Sequence, residues 1–202
     1  MTSYVSVEEL KQSLELQGTL FANLDVERAI GAASRAIDSY CGRRFDKDTT
    51  DTIRYYTLEH SIVQIDDLAD TPSEVAVATS AGTYTVVGVE GTDFTVEPFN
   101  AAANSEPYNV LRALTWWPTY SCRWSKIRPN LRVTGPHGWP AVPSQIPQAA
   151  GILAAKLLVR ARQAPFGVVT AGADVGVAIR IARTDPDVAF LLDGLRRDIL
   201  YV

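Results

Sequence analysis

Residues 24–45, LDVERAIGAASRAIDSYCGRRF, read as one helix with a start, a face and a stop. Ile30, Ala33, Ile37 and then Tyr40 or Cys41 recur at helical spacing and form an apolar stripe. Ala29, Ala32, Ala33 and Ala36 keep the surface thin, so another helix can come close. Asp25 is the expected N-cap, its carboxylate accepting from an amide the helix leaves unpaired. Gly42 follows the last periodic residue, where a left-handed C-cap favours glycine. Arg43 and Arg44 then sit by the negative end of the helix dipole. In itself this is an ordinary core helix, and what covers it decides the fold.

A second long helix is expected from Ser144 to about Gln163. Pro147 is tolerated in its first turn, where amides lack intrahelical partners. Ile146, Ala150, Leu153, Leu157 and Ala161 face one way, and Ala149, Ala154 and Ala155 again permit close packing. Lys156, Arg160 and Arg162 mark a wetter side. Ile30 and Ile37 should therefore meet Leu153 and Leu157. A shorter helix opens the chain. Ser6 and Glu9 have capping-box spacing, Val7, Leu10 and Leu14 form a stripe, and Gln17-Gly18 ends it.

Between the helices the period changes. Residues 53–58, 62–65, 75–79, 84–89, 94–97, 111–116 and 131–134 are rich in β-branched and aromatic residues. Ser80-Ala81-Gly82 reads as a hairpin turn, Pro98 as a strand stop and residues 101–107 as a small-residue loop. The fold class is α+β: an α-helical bundle with an inserted, mostly antiparallel β unit and an extended C-terminal arm ending in a helix. The main domain spans residues 1–164, with helices at about 6–16, 25–41 and 144–163 and the β insertion at about 52–135. The arm spans 165–202. Its PFGVVTAGADVGV stretch has no helical period and reads as a segment ordered only against something else. Asp185 and Pro186 then cap and open a last helix with the stripe Val188, Leu191, Leu192, Leu195 and Ile199. So short a helix is marginal alone in water, so the stripe must be buried somewhere, on its own subunit or on a partner.

The sequence offers little for chemistry. No apolar run reaches the roughly 20 residues of a membrane span, and the MTSYVSVEEL start lacks the regions of a signal peptide. Synthesis in the cytoplasm and no membrane contact are expected. Cys41 and Cys122 fit no metal spacing and read as small buried hydrophobes. His60 and His137 have no second ligand at helical or hairpin spacing, so no cofactor or metal is expected. His137, between Pro136 and Gly138, reads as a turn residue. Asp66-Asp67 point to opposite faces of a strand and cannot chelate together, so they read as a solvated strand end. Motifs of phosphate, dinucleotide or acyl-transfer sites are absent from the sequence.

Charge is unevenly spread although the net value is only −4. Residues 51–110 carry ten acids and one base, Arg54. Residues 111–140 carry five bases, Arg112, Arg123, Lys126, Arg128 and Arg132, and no acid. These segments can pair as neighbouring strands within one subunit or across adjacent subunits, with Arg123, Lys126 and Arg128 as the inter-subunit candidates. Trp116, Trp117, Tyr120 and Trp124 interleave with Arg123 and Lys126. That mixture suits a loop packed on the β core, an aromatic anchor for a protein partner, or stacking of single-stranded bases.

Taken in order, several motifs form a set: the CGRRF stop, Tyr55-Tyr56-Thr57, Ile-Asp-Asp-Leu at 65–68 and Glu-Pro at 97–98 before an asparagine- and alanine-rich loop. VTGPHGWPAVPSQIPQAA at 133–150 and Arg-Thr-Asp-Pro-Asp-Val at 183–188 complete it. The chain resembles the head-tail connector, or adaptor, proteins of long-tailed bacteriophages over nearly its whole length. Val133–Trp139 with Pro143, and the CGRRF stop, are the most specific parts. The resemblance implies a non-enzymatic virion protein, made in the host cytoplasm and acting in DNA packaging and ejection. It would form a homo-oligomeric ring, usually of twelve subunits, beneath the portal protein in the neck. A tail-side neck protein (the stopper) would follow, and double-stranded DNA would pass through the channel without specific binding. Val188, Leu191, Leu192, Leu195 and Ile199 would then contact the portal or a neighbouring subunit. Another neck or tail-completion protein, and an unrecognised enzyme, are the alternatives.

Overall fold

The computed structural model describes residues 3–13, 21–115, 128–163 and 185–197. Its elements begin with α1 (Val7–Ser13), α2 (Asn23–Cys41), β1 (Thr52–Tyr56), β2 (Ile62–Leu68), β3 (Glu74–Ser80) and β4 (Thr83–Val86). They continue with β5 (Phe94–Glu97), α3 (Ala101–Asn104), β6 (Tyr108–Ala113), β7 (Leu131–Gly135), α4 (Gln145–Gln163) and α5 (Pro186–Leu192). A helical unit draws on Met1–Arg44 and Val142–Tyr201, and a β unit on Phe45–Ala141.

In the helical unit, α1 opens with the expected capping box. Ser6 Oγ accepts from the Glu9 amide at 3.1 Å, and Glu9 Oε2 accepts from the Ser6 amide at 2.8 Å. These bonds to Ser6 hold the Glu9 carboxyl below its ordinary pKa. The start of α2 corrects the Asp25 cap. Ala22 occupies the cap position without a side-chain bond, and the Asp25 amide donates to the Ala22 carbonyl at 3.0 Å. Asp25 lies within the first turn, where its charge still faces the positive end of the helix. The stop is as expected. Gly42 sits at φ +66° and donates to the Asp38 carbonyl, a conformation that strains residues with a Cβ.

The buried face of α4 is Ile146, Ala149, Ala150, Leu153, Ala154 and Leu158, and α4 packs on α2. Alanines on both helices let them approach. Leu157 is only half-buried, which corrects the expected stripe. Towards the end of α4 the buried surface runs through Leu153, Ala154 and Leu158, so Leu157 keeps part of its surface in solvent. Cys41, the last residue of α2, is buried, and burial pushes its thiol pKa up to about 12, so it stays a neutral thiol.

α5 starts as Asp185 and Pro186 predict, with Asp185 Oδ1 accepting from the Asp187 amide at 3.1 Å. The Asp185 carboxylate also forms an ion pair with Lys156 of α4. Val188 and Leu192 are fully buried, and α5 packs on α4. A 3₁₀ turn at Asp193–Leu195 follows. There Asp193 accepts from the Tyr40 hydroxyl at 2.7 Å, and the Arg197 amide donates to the Cys41 carbonyl at 2.8 Å. In the helical unit the described helices therefore make one long pair, α2 and α4, with the short α1 packed on α2 and the short α5 on α4. With the antiparallel sheets they form an α+β fold, and the expected α-helical bundle is reduced to that pair.

The β unit holds a four-stranded sheet in the order β1-β7-β3-β4 and a three-stranded sheet in the order β2-β6-β5. Every pairing is antiparallel. Val75, Val77, Leu131 and Val133 of the first sheet share one core with Ile65, Leu68, Phe94 and Leu111 of the second. Alternate residues of β5 and β7 are buried against this core, and a one-residue slip would turn them outward, which fixes their register. The hairpin turn is as expected, with Ser80 opposite Thr83 and Gly82 at φ +78°. The loop at 101–107 instead begins with α3, where the Pro98 and Asn100 carbonyls accept from the Ala101 and Asn104 amides. β6 starts three residues before the expected Leu111.

The Val133–Trp139 motif closes this unit. The Gly138 amide donates to the Asp67 carbonyl at 2.7 Å, and the Asp48 amide donates to the His137 carbonyl at 2.7 Å. Gly138 sits at φ +115°, and a Cβ there would lie 2.0 Å from the Asp46 carbonyl oxygen. Trp139 stacks at a tilt on Phe45, centroids 5.2 Å apart, and its Nε1 donates to Asp67 Oδ2 at 3.1 Å. Asp67 is thus a buried acceptor and not a solvated strand end, because the incoming chain covers it. His137 is also buried, bridged to Leu68. Burial, then the nearby Arg54 charge, lowers its pKa, while Asp66 and Asp48 oppose this.

Candidate interaction surface

Register places Tyr55, Arg132, Ala76 and Val86 in one row across the four-stranded sheet, on the face away from the core. Ile53 and Tyr84 share that face in adjacent rows. Ile53, Tyr55 and Val86 are each more than half exposed. Tyr84 leans across the sheet, its ring 5.6 Å from that of Tyr55 and its hydroxyl donating to the Pro129 carbonyl at 2.9 Å. The Arg132 guanidinium lies 5.3 Å over the Tyr84 ring and reaches Glu74 at 2.6 Å. The result is a sheet face that exposes Ile53, Tyr55 and Val86 around one ion pair, while Ala76 and Ala78 on the same face are buried. Single exposed apolar residues are ordinary, whereas this cluster on one sheet face is a candidate contact surface. The period-2 pattern of Ile53 and Tyr55 was a signal for it, but alternation alone does not say which face is the core.

The charged segments meet within the subunit wherever they are described. Arg112 pairs with Glu97 across β6 and β5 at 2.5 Å, Arg132 with Glu74, and Arg128 with Glu59 at 2.8 Å. Arg54 pairs with Asp66 at 2.9 Å on the inner side of β1. Arg128, an inter-subunit candidate, thus has an acid of its own chain, though both side chains are largely exposed and so weakly committed. Arg123, Lys126 and the aromatic residues Trp116, Trp117, Tyr120 and Trp124 lie outside the described residues. So do Ile199 and residues 164–184. Of the terminal stripe, Val188 and Leu192 belong to their own subunit's core, which corrects their assignment to a portal or neighbour contact. The helix is short but has α4 beside it, and burying both side chains there satisfies the stripe. Leu191 of α5 and Leu195 of the following 3₁₀ turn are half-buried.

A groove of about 610 Å³ in the helical unit is lined by Tyr4, Val5, Ile152 and Ala155. Its charged residues are already engaged, Glu9 with Ser6 and Lys156 with Asp185. Among the described residues, no group of three or more His, Cys, Asp or Glu side chains could hold a metal ion. None of the described helices is long and apolar enough to cross a membrane.

No protein-family model matches the chain, and no curated protein matches it. A solved chain similar to this one comes from the neck of an empty GTA (gene transfer agent) particle computed with C6 symmetry. The two are 15% identical, with a TM-score of 0.57, over 98% of this chain and 93% of that one. What they share is the fold.

Proposed function

We propose that this chain is a structural, non-enzymatic protein of the neck of a tailed-phage or phage-like particle. Within the neck, its place is the head-tail adaptor: a ring, usually of twelve subunits, beneath the portal protein and above the tail-side stopper. The observation that carries this reading is the fold shared along 98% of the chain with a neck protein of a symmetric particle. The ordered motifs from CGRRF to the 183–188 segment support it independently. Leu191, Leu195 and Ile199, with Arg123, Lys126 and the exposed Arg128, remain the residues offered for portal or neighbour contacts.

Double-stranded DNA would slide through the ring, so firm phosphate contacts would hinder it. Each neutralised phosphate contributes about 0.9 to the slope of log affinity against log salt. A chain of net charge −4 should bind duplex DNA weakly and without sequence preference. Mixing the purified chain with portal protein and, separately, with the tail-side protein tests the placement. Binding to portal supports the adaptor position. Binding only to the tail-side protein favours another neck or tail-completion role, and a tight sequence-selective DNA complex contradicts a conduit.

A further inference from the structure

Among the described residues no strand pairs with the outer sides of β1 and β4; these two edges of the four-stranded sheet are complementary to each other, and we infer that they join head to tail between copies of this chain. The inference rests on the ring reading and says which backbone closes the ring.

Hydrogen-bond parity identifies the free groups. In an antiparallel ladder, alternate residues turn their N–H and C=O toward one neighbour and the intervening residues toward the other. The Val87 amide donates to the Val75 carbonyl at 2.9 Å, so Thr85 and Val87 face β3 while Tyr84 and Val86 face outward. The Ala78 amide donates to the Asn130 carbonyl at 2.9 Å, so by alternation Arg132 of β7 faces β3, and Leu131 and Val133 face β1; Asn130, just before the strand, turns its carbonyl to β3 and its amide to the Tyr56 carbonyl of β1. On β1, Arg54 and Tyr56 then face β7, and Ile53 and Tyr55 face outward. The backbone groups left open at both edges belong to the residues whose side chains form the exposed apolar face.

Direction and composition agree. Four alternating strands leave β1 and β4 running oppositely, so β4 of one copy beside β1 of the next continues the antiparallel order. The three-stranded sheet has parallel outer strands and cannot be extended this way. Pairing Tyr84 with Tyr55 of a second copy, and Val86 with its Ile53, brings the free N–H and C=O groups into register and keeps all four side chains on one face. Natural edges are usually blunted by lysine, proline or an inward charge. β4 is Thr-Tyr-Thr-Val, with no charged residue and no proline, and the single charge on β1, Arg54, is turned inward to Asp66. β1 thus carries one such guard, whereas β4 carries none of the three, and the bare β4 edge fits a second copy; a contact between two different patches closes into a ring when the rotation allows.

The test uses the full chain, alone and with portal protein. Val86→Pro removes an outward N–H while leaving the β3 ladder intact, as edge prolines do. It should keep the wild-type circular dichroism and melting curve and lose assembly. Independently, Ile53→Cys and Val86→Cys would stand opposite each other across the junction, at the ~5.5 Å Cα separation of a bonded pair, within disulfide reach. On oxidation the double variant should form a covalent ladder ending at the ring. The two single variants should cross-link only when mixed, above the background of Cys41 and Cys122 in wild type. If Val86→Pro misfolds, the cysteine pair decides. Rings that form without the Ile53–Val86 cross-link, or a folded Val86→Pro that assembles as wild type, overturn this junction and leave the ring standing. A wild-type chain that never assembles, with or without portal, overturns both.

Discussion

Leu192→Ala separates a terminal helix that belongs to its subunit from one that waits for a partner. Leu192 is fully buried, one turn after the equally buried Val188, on a helix held to α4 by packing and by the Lys156–Asp185 pair. Truncation removes the transfer free energy of three carbon atoms' worth of burial and leaves a cavity, because neighbours relax only in part. The cost should be about 3 kcal/mol, or roughly 6–12 °C in Tm for a chain of this length. Phe190→Ala is the internal control: Phe190 is 85% exposed on the same helix and its loss should stay within about 0.5 kcal/mol. Urea denaturation of the purified chain, without portal, reads both. A Leu192→Ala change of a few tenths would refute the reasoning, since α5 would then not be part of the free subunit's core. Removing residues 185–202 should likewise destabilise the isolated chain rather than merely abolish partner binding.

Leu153→Ala should cost about 2–5 kcal/mol and Leu157→Ala clearly less, because only Leu153 is fully buried; equal losses in chemical denaturation would contradict the observed face of α4. Gly138→Ala should cost several kcal/mol, on the order of 3, since both the positive φ and the 2.0 Å approach to Asp46 oppose a Cβ, and a wild-type melting curve would contradict the tight closure. His137 has a lowered pKa and is held neutral, so its contribution is intact above its unfolded-state value of about 6.5. As pH falls through and below that value, the unfolded chain takes up a proton the folded chain resists, and stability declines by at most about 1.4 kcal/mol per pH unit until the folded pKa is passed. Calorimetry from about pH 7.5 to 5 should show wild type losing more than His137→Gln; parallel curves would contradict the assignment.

Local chemistry with a short reach was legible. The Ser6–Glu9 box, the Gly42 stop, the Asp185-Pro186 start and the two-residue turn at Gly82 each depend on residues a few positions apart, and the structure forms all of them. The long helices and the antiparallel β insertion followed from period. What depends on distant neighbours was less visible. Asp67 looks solvated until residues 137–139 arrive over it, and Leu157 looks like core by period although the fold leaves it half-buried. The stripe of α5 was plain, but sequence alone could not say that α4 would cover Val188 and Leu192. The outer sheet face of Ile53, Tyr55, Tyr84 and Val86 was hidden for a similar reason: apolar alternation reads alike for a core face and a contact face.

The native mass of the purified chain, measured alone and after mixing with portal protein, bears most directly on the neck-ring account. The account predicts a closed oligomer of defined subunit number, formed alone or on the portal. A chain that stays monomeric at high concentration and beside assembled portal would contradict it.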